Sequence, residues 1–475
     1  MRNTHPHRVV KAATGHISVA GLISEGIMVE FVGGVSEQML HLSKLVATVA
    51  RLGGFINDSI EFKTDASSGV GIYAKSHSDI VIEPGTVLIS VPYKLCISVD
   101  MILQTPLKQI IDDMPDLLNY PDEILALGLM YARKPLQQDD DIVINDDYSL
   151  LDHVKTLPLT FNTTLYWTDE EIVSLKPTNT FHLTRLMKNQ ITNDWGNIHQ
   201  ELSIQYPELL GHITLDLYVW AISVVYSRAV GITRSDKWIR CIPPVLDMAN
   251  HSPIENKEAA DTFSYNESED TINFSNAVLT EPGSECFAIY GKYPNGKLAF
   301  TYGFAIFNNI HRAIDLWTRV SPNNYQAEKK QTILNNHSLT KNQAYDFTGT
   351  IRENYVSPSL LATVRVIQVA DEVEMENVNK AFTGEMVSVR NEMASYSSLR
   401  SLLIARMNVD AAEQERMKLG EMLLDGTAKD NRQLISLMIK VDERELLHET
   451  IVLVDGWINS LSTLGSEYKC PEKFY

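Results

Sequence analysis

Residues 36 to 52 read SEQMLHLSKLVATVARL, with Leu40, Leu42, Leu45, Val46, Val49 and Leu52 at roughly helical spacing and Gly53-Gly54 as a stop signal. One amphipathic helix is predicted there. Ile80-Val81-Ile82 is rich in β-branched residues, Glu83-Pro84-Gly85 forms a turn, and Thr86 to Val91 makes a second run closed by Pro92. Together these predict a small antiparallel unit. From about 100 to 230 the pattern turns helical, with Ile124 to Ala132 and Leu215 to Ala229 the clearest apolar stretches and Asp139-Asp140-Asp141 an acidic loop between them. Strand-like segments return at 239 to 310, with turn signals at Glu281-Pro282-Gly283 and Pro294-Asn295-Gly296. Strands split by a long helical stretch imply a discontinuous β domain. Beyond about 325 the pattern is helical again, and 432 to 462 carries long apolar stripes between charged positions.

Composition narrows the class. A chain of 475 residues exceeds one ordinary core and suggests two or three units. Hydrophobic residues make up 44% and charged residues 21%, with no apolar run long enough for a membrane span, which predicts a soluble globular protein. Sixty acidic residues against 41 basic ones give a formal charge of -19. That charge repels a nucleic-acid backbone and attracts basic protein segments. No nucleic acid and no membrane are therefore expected as partners.

Cys96, Cys241, Cys286 and Cys470 are scattered with no CxxC pair, so neither a metal site nor a disulfide framework is indicated. A reducing compartment follows, with cytoplasm or nucleus as the default. The first 24 residues carry Arg2, Arg8 and Lys11 and no acid, which leaves open an organelle transit peptide or a poorly ordered N-terminus over 1–35.

Three segments could carry chemistry. Ser68-Gly69-Val70-Gly71-Ile72 has glycines that let a backbone approach a ligand closely, although it lacks the third glycine of a dinucleotide fingerprint and, taken alone, reads first as a structural turn. Ile242 to Pro253 puts Asp247, Asn250 and His251 directly after an apolar approach, where polar side chains need partners or a ligand. A capped turn at Asn250-His251-Ser252-Pro253 would also satisfy them. Tyr290-Gly291 and Tyr302-Gly303-Phe304 are two Tyr-Gly pairs, each offering an aromatic face, a hydroxyl and an adjacent bend. Packing in a β core is the plainer alternative.

Taken in order, Gly69-Val70-Gly71, Tyr226-Ser227-Arg228-Ala229, Asp247-Met248-Ala249-Asn250-His251, Tyr290-Gly291 with Asn295, and Tyr302-Gly303-Phe304 resemble a SET domain. More narrowly, the chain is similar to the Rubisco large-subunit methyltransferase-like family, whose members methylate lysine or histidine in proteins. Tyr166-Trp167-Thr168-Asp169-Glu170-Glu171 resembles that family's insertion motif, and the C-terminal helices resemble its substrate-binding domain. Two departures stand beside the site: Gly283-Ser284-Glu285 where Gly-Glu is common, and Gly296-Lys297 after Asn295 where Ala-Glu is typical.

The resemblance implies an α+β fold: a discontinuous β-rich SET domain over 36–314 with a helical insertion at about 100–215, followed by an all-α C-terminal domain over 325–475. It also implies an S-adenosyl-L-methionine-dependent protein-lysine N-methyltransferase. The substrate would be a protein held partly by the C-terminal domain, and the enzyme a monomer without metal. Ser68, Gly69, Val70 and Gly71 would contact the cofactor through their backbone, Arg228 its carboxylate region, and Asn250 and His251 its amino group and adenine. Asp247 joins this cofactor set, Tyr302, Gly303 and Phe304 would close around the adenine, and Tyr290 would be the active-site tyrosine. A protein-histidine methyltransferase and a noncatalytic SET-fold binding module are the alternatives.

Overall fold

The computed structural model describes residues 31–32, 37–65, 69–77, 79–133, 143–145, 148–252, 262–337, 346–352, 355–407 and 409–469. The N-terminal segment before 31, Ser68, the acidic loop Asp139-Asp140-Asp141, Pro253 and Cys470 lie outside the described residues. The chain divides into two compact units, residues 1–159 with 195–290, and residues 160–194 with 291–475.

In the first unit the predicted amphipathic helix runs over Glu37–Arg51. It buries Leu42, Leu45, Val46 and Val49 and leaves Leu40 in solvent. It packs on helix Leu150–Thr156, where Gln38 Nε2 donates to the Thr156 carbonyl at 2.8 Å. Gly53, at φ 100°, and Gly54, where a Cβ would stand 2.9 Å from the Ser90 carbonyl, turn the chain sharply into strand Phe55–Ile56.

That short strand edges a four-stranded antiparallel sheet in the order Phe263–Asn266, Thr271–Ser275, Val87–Pro92, Phe55–Ile56. The hairpin read between 80–82 and 86–91 does not form. Ile80 is exposed and Ile82 makes an isolated bridge with Thr280, while the Gly85 N–H goes to the Asn276 carbonyl. Backbone groups of the 276–280 loop thus take the bonds that a local hairpin needs, and Val87–Pro92 pairs with strands far away in sequence.

A second sheet joins Phe31–Val32, Ile60–Asp65 and Gly69–Ala74, and a third joins Ile97–Ser98, Lys237–Ile242 and Val230–Arg234. The two apolar stretches form helices Pro121–Ala132 and Leu215–Arg228, which pack on one another. Leu125, Leu129, Ala221 and Val224 are fully enclosed there.

The second unit contains helices Asp169–Ser174 and Asn179–Asp194, and then a run of C-terminal helices that ends in Arg432–Leu464. Strands also occur in the region read as helical: Asp346–Arg352 and Tyr355–Val356 complete an antiparallel sheet with Ala313–Arg319. Ile314 and Leu316 from that sheet share a core with Leu360, Leu399, Leu403 and Leu446. Arg365 and Glu392 form an enclosed bidentate ion pair, Nε to Oε2 at 2.8 Å and Nη2 to Oε1 at 2.5 Å.

Pro294-Asn295-Gly296, read as a turn, is instead the start of helix Asn295–Thr301, with Pro294 at its cap. The asparagine side chain that would close a turn is engaged elsewhere: its oxygen takes the Ile306 N–H at 2.8 Å and its amide donates to the Ile306 carbonyl at 2.8 Å.

Candidate active site

Strand Gly69–Ala74 forms one wall of a crossing in the first unit. Segment 284–288 runs alongside it, with the Ala74 N–H on the Ser284 carbonyl at 2.9 Å and the Cys286 N–H on the Ile72 carbonyl at 2.7 Å. The other edge of that segment meets the Asn-His stretch: the Ala288 N–H donates to the Asn250 carbonyl at 2.7 Å, and His251 and Ala288 form a parallel bridge. Three segments distant in sequence are laced together without a regular central strand.

Gly71 sits at the tightest point. A Cβ there would stand 2.9 Å from the Tyr73 ring and 3.1 Å from Asn250 Nδ2, and would collide with Glu285 as well. Asn250 Nδ2 donates to Glu285 Oε1 at 2.8 Å and reaches the Val70 carbonyl at 3.4 Å. The carboxylate that anchors Asn250 therefore comes from Gly283-Ser284-Glu285, noted in the sequence only as a departure beside the site. Gly69, at φ 76°, has open space where a Cβ would be.

Tyr290 closes the other end. Its hydroxyl donates to the Ala249 carbonyl at 2.7 Å, and its ring lies on His251 with centroids 5.0 Å apart and planes 19° apart. The Tyr290 N–H donates to His251 Nδ1 at 3.1 Å. The same Nδ1 lies 3.2 Å from the Ala288 carbonyl, so the backbone on either side of Ile289 brackets this edge of the ring. Burial pushes the Tyr290 phenol up to about 12, with Arg228 opposing and Asp247 and Glu285 assisting. It remains protonated through the neutral range.

Arg228, at the end of helix Leu215–Arg228, points back at the turn before Asn250. Its Nη1 donates to Asp247 Oδ2 at 3.0 Å and to the Asp247 carbonyl at 2.5 Å. The Asp247 side chain has no exposed surface, whereas Arg228 keeps 18% of its own. Just upstream, Val245 has φ 70° and the Leu246 N–H returns to the Pro244 carbonyl at 2.8 Å. This is the rare, strained form of the three-residue turn, and it is held by a β-branched residue with no exposed surface.

Gly69, Val70, Gly71, Arg228, Asp247, Asn250, His251 and Tyr290 thus fall in the first unit, while Tyr302, Gly303 and Phe304 fall in the second. There Tyr302 lies against Tyr293 with centroids 6.4 Å apart and against Phe304 at 6.2 Å. Gly303, at φ 86°, leaves no room for a side chain, since a Cβ would stand 2.8 Å from the Asn162 carbonyl carbon and from the Thr163 nitrogen. Asn162 Nδ2 donates to the Gly303 carbonyl at 3.0 Å, and Asn295 fixes Ile306 as described above. Asn162 was not legible as a site residue, because Asn162-Thr163-Thr164 matches only a chance glycosylation triplet.

Residues 321–446 match the family described as Rubisco LSMT substrate-binding. Among curated relatives, the chain is 22% identical over 322 residues to the ribosomal lysine N-methyltransferase set10 of Schizosaccharomyces pombe, covering 67% of this chain and 56% of that one. It is 24% identical over 412 residues to the actin-histidine N-methyltransferase of Danio rerio, covering 83% of this chain and 65% of that one. The chain thus spans less than two thirds of the length of either relative. Among solved structures, the SET domain of LSMT bound to lysine and AdoHcy superposes with a TM-score of 0.72 at 18% identity, over 91% of this chain and 95% of that one.

Proposed function

We propose that this chain, a member of the Rubisco LSMT-like SET family by its fold and its substrate-binding domain, is an S-adenosylmethionine-dependent protein-lysine N-methyltransferase. The observation that carries the reading is the anchoring of Tyr290: a phenol kept protonated, fixed on the Ala249 carbonyl, and stacked on His251, whose Nδ1 its own N–H meets. Such a hydroxyl is placed to orient a nucleophile and is unsuited to act as a general base near neutral pH.

The residues fit the cofactor. The glycine strand brings backbone polar groups to the site without a side chain in the way, and Arg228 retains exposed surface beyond its bond to Asp247. In this reading the backbone of Ser68 to Gly71 would hold the cofactor, Arg228 its carboxylate, and Asn250 and His251 its amino group and adenine. Tyr302, Gly303 and Phe304 would close around the adenine. The Asp247 carboxylate is enclosed, so its part is to orient Arg228. When bound, S-adenosylmethionine supplies a methyl group on a sulfonium centre.

The protein's own contribution is alignment and exclusion of water, which in model reactions reaches about 7 kcal/mol or more. The target lysine must arrive neutral. With a reference pKa of about 10.4, that costs roughly 4.6 kcal/mol at pH 7. Burial beside a cation lowers this cost. A protein substrate held by the C-terminal helices, with no nucleic acid, and a monomer acting in cytoplasm, nucleus or an organelle complete the reading. Among the described residues no helix is long and apolar enough to cross a membrane.

Histidine is the second reading, and it is favoured by the actin-histidine relative, which aligns with more of this chain than the lysine-specific one does. Both are tested by transfer of tritium-labelled methyl groups from S-adenosylmethionine into proteins of a hypomethylated extract, followed by amino-acid analysis of the labelled band. Methyl-lysine supports the proposal and methyl-histidine supports the second reading. No label with the intact protein, at several substrate sources, would turn the assignment toward a noncatalytic binding module.

A further inference from the structure

His153 lies in helix Leu150–Thr156 with no exposed surface, and the Asp247 side chain is equally enclosed. His153 Nε2 and Asp247 Oδ1 face each other at 3.9 Å, and neither atom has another hydrogen-bond partner among the described residues. Two orphaned buried polar atoms aimed at one another are a costly arrangement unless they serve each other. The gap exceeds a hydrogen bond, which ends at about 3.2 Å. A shift of less than one ångström closes it directly.

We infer that His153 is a positioning residue, donating its Nε2 proton to Asp247 and through that carboxylate fixing Arg228 beside Tyr290. The other side of the ring accommodates that tautomer. The Tyr148 hydroxyl lies 3.3 Å from His153 Nδ1, and burial raises Tyr148 well above the ordinary tyrosine range, so it keeps a proton that it can donate to that nitrogen. A neutral ring that accepts at Nδ1 carries hydrogen at Nε2. Burial also keeps the ring neutral, lowering it to about 4, with Asp247 opposing and Arg228 assisting.

The geometry explains why a neutral donor is useful. Arg228 holds only one carboxylate oxygen, Oδ2 at 3.0 Å, and the terminal torsion of an aspartate is broad. A second bond on Oδ1 stops the carboxylate from rocking and carrying the guanidinium with it. An imidazolium there would compete with Arg228 for the same charge. The consequence for methyl transfer rests on the proposed parts of Arg228 and Tyr290, whereas the hydrogen bond itself does not.

The test uses the full chain in two arms. Nitrogen-15 spectra of histidine-labelled protein, with the His153 signal assigned by its loss in His153→Gln, are expected to report a proton on Nε2 that does not titrate between about pH 5 and 8. The same signal is expected to move in Asp247→Asn. A proton on Nδ1, titration at the ordinary histidine value of about 6.5, or no response to Asp247→Asn would overturn the inference. In the second arm, S-adenosylmethionine affinity is measured by calorimetry for His153→Gln, which keeps an N–H donor, and for His153→Phe, which keeps the ring without one. The phenylalanine variant is expected to lose about tenfold in affinity and the glutamine variant to stay near wild type. Equal losses would reduce His153 to packing. Should His153→Phe not fold, the spectroscopic arm still decides. An intact chain with the expected signal that binds no S-adenosylmethionine would instead overturn the reading of function.

Discussion

Asp442 Oδ2 accepts a hydrogen bond from Asn295 Nδ2 at 2.5 Å, tying helix Arg432–Leu464 to the amide that also clamps Ile306. Burial raises the Asp442 carboxyl to about 7, against the lowering effects of Asn295 and Arg312 and with Glu445 assisting. Its neighbour Glu443 is likewise raised by burial to about 7, although Arg406 and the Asn179 N–H oppose the shift.

The sign of the linkage follows. An unfolded aspartate titrates at about 3.9, so between that value and the folded one the native state holds more protons, and stability falls as pH rises. Asp442→Asn keeps an acceptor for Asn295 and removes this titration. The variant is expected to melt roughly 2–4 °C above wild type at about pH 8, with the advantage shrinking toward about pH 5. A difference that is the same at both pH values would mean that Asp442 is ionised throughout.

Replacing Tyr290 by phenylalanine removes the hydroxyl that rests on the Ala249 carbonyl and preserves the ring on His251. If the hydroxyl orients the nucleophile, turnover is expected to fall roughly 10- to 100-fold while S-adenosylmethionine affinity changes little. Single-turnover rates and calorimetry on the same preparation check this. Wild-type turnover would remove Tyr290 from the reacting centre.

Three glycines separate steric need from mere tolerance. Gly303→Ala puts a Cβ onto the backbone of Asn162 and Thr163 at positive φ, and Gly71→Ala puts one against Tyr73 and Asn250. Gly456, in the long helix Arg432–Leu464, has nothing within 4 Å of its Cβ position. Denaturant unfolding is expected to show Gly456→Ala stabilised by about 0.5–1 kcal/mol and Gly303→Ala destabilised by at least about 1 kcal/mol. Gly71→Ala is expected to lose cofactor binding as well, because its clash falls first on the Glu285 carboxylate that anchors Asn250.

These glycines also mark what the sequence makes legible. Helices Glu37–Arg51, Pro121–Ala132 and Leu215–Arg228 follow from apolar periodicity because each buries one continuous face, or nearly all faces, within its own stretch. Strand pairing was not readable in the same way. Val87–Pro92 looks like half of a hairpin with 80–82, and only the three-dimensional arrangement brings Thr271–Ser275 to its edge. The strands of the second unit's sheet are hidden for the same reason, since Asp346–Arg352 pairs with Ala313–Arg319 across an intervening helix. Motif order picked out Asn250, His251 and Tyr290, which the fold links directly. It put Glu285 beside the site rather than in it and missed the parts of Asn162 and His153, all of which depend on contacts across long separations and have no spacing signature.

The pH dependence of methyl transfer tests the substrate class and the part of Tyr290 together. Burial holds the Tyr290 phenol at about 12, so it stays protonated over the working range and cannot be the group whose ionisation sets the rate. In the proposed mechanism the titrating group is the substrate nitrogen. For a lysine, whose reference pKa is about 10.4, the single-turnover rate is expected to keep rising above about pH 8, since each unit of pH exposes about ten times more neutral amine. For a histidine of reference pKa about 6.5, the rate is expected to level off once pH exceeds about 7. Tyr290→Phe is expected to lower the whole curve without changing its slope. A profile that flattens in that variant would make the tyrosine itself the ionising group and would require a general-base mechanism in place of orientation.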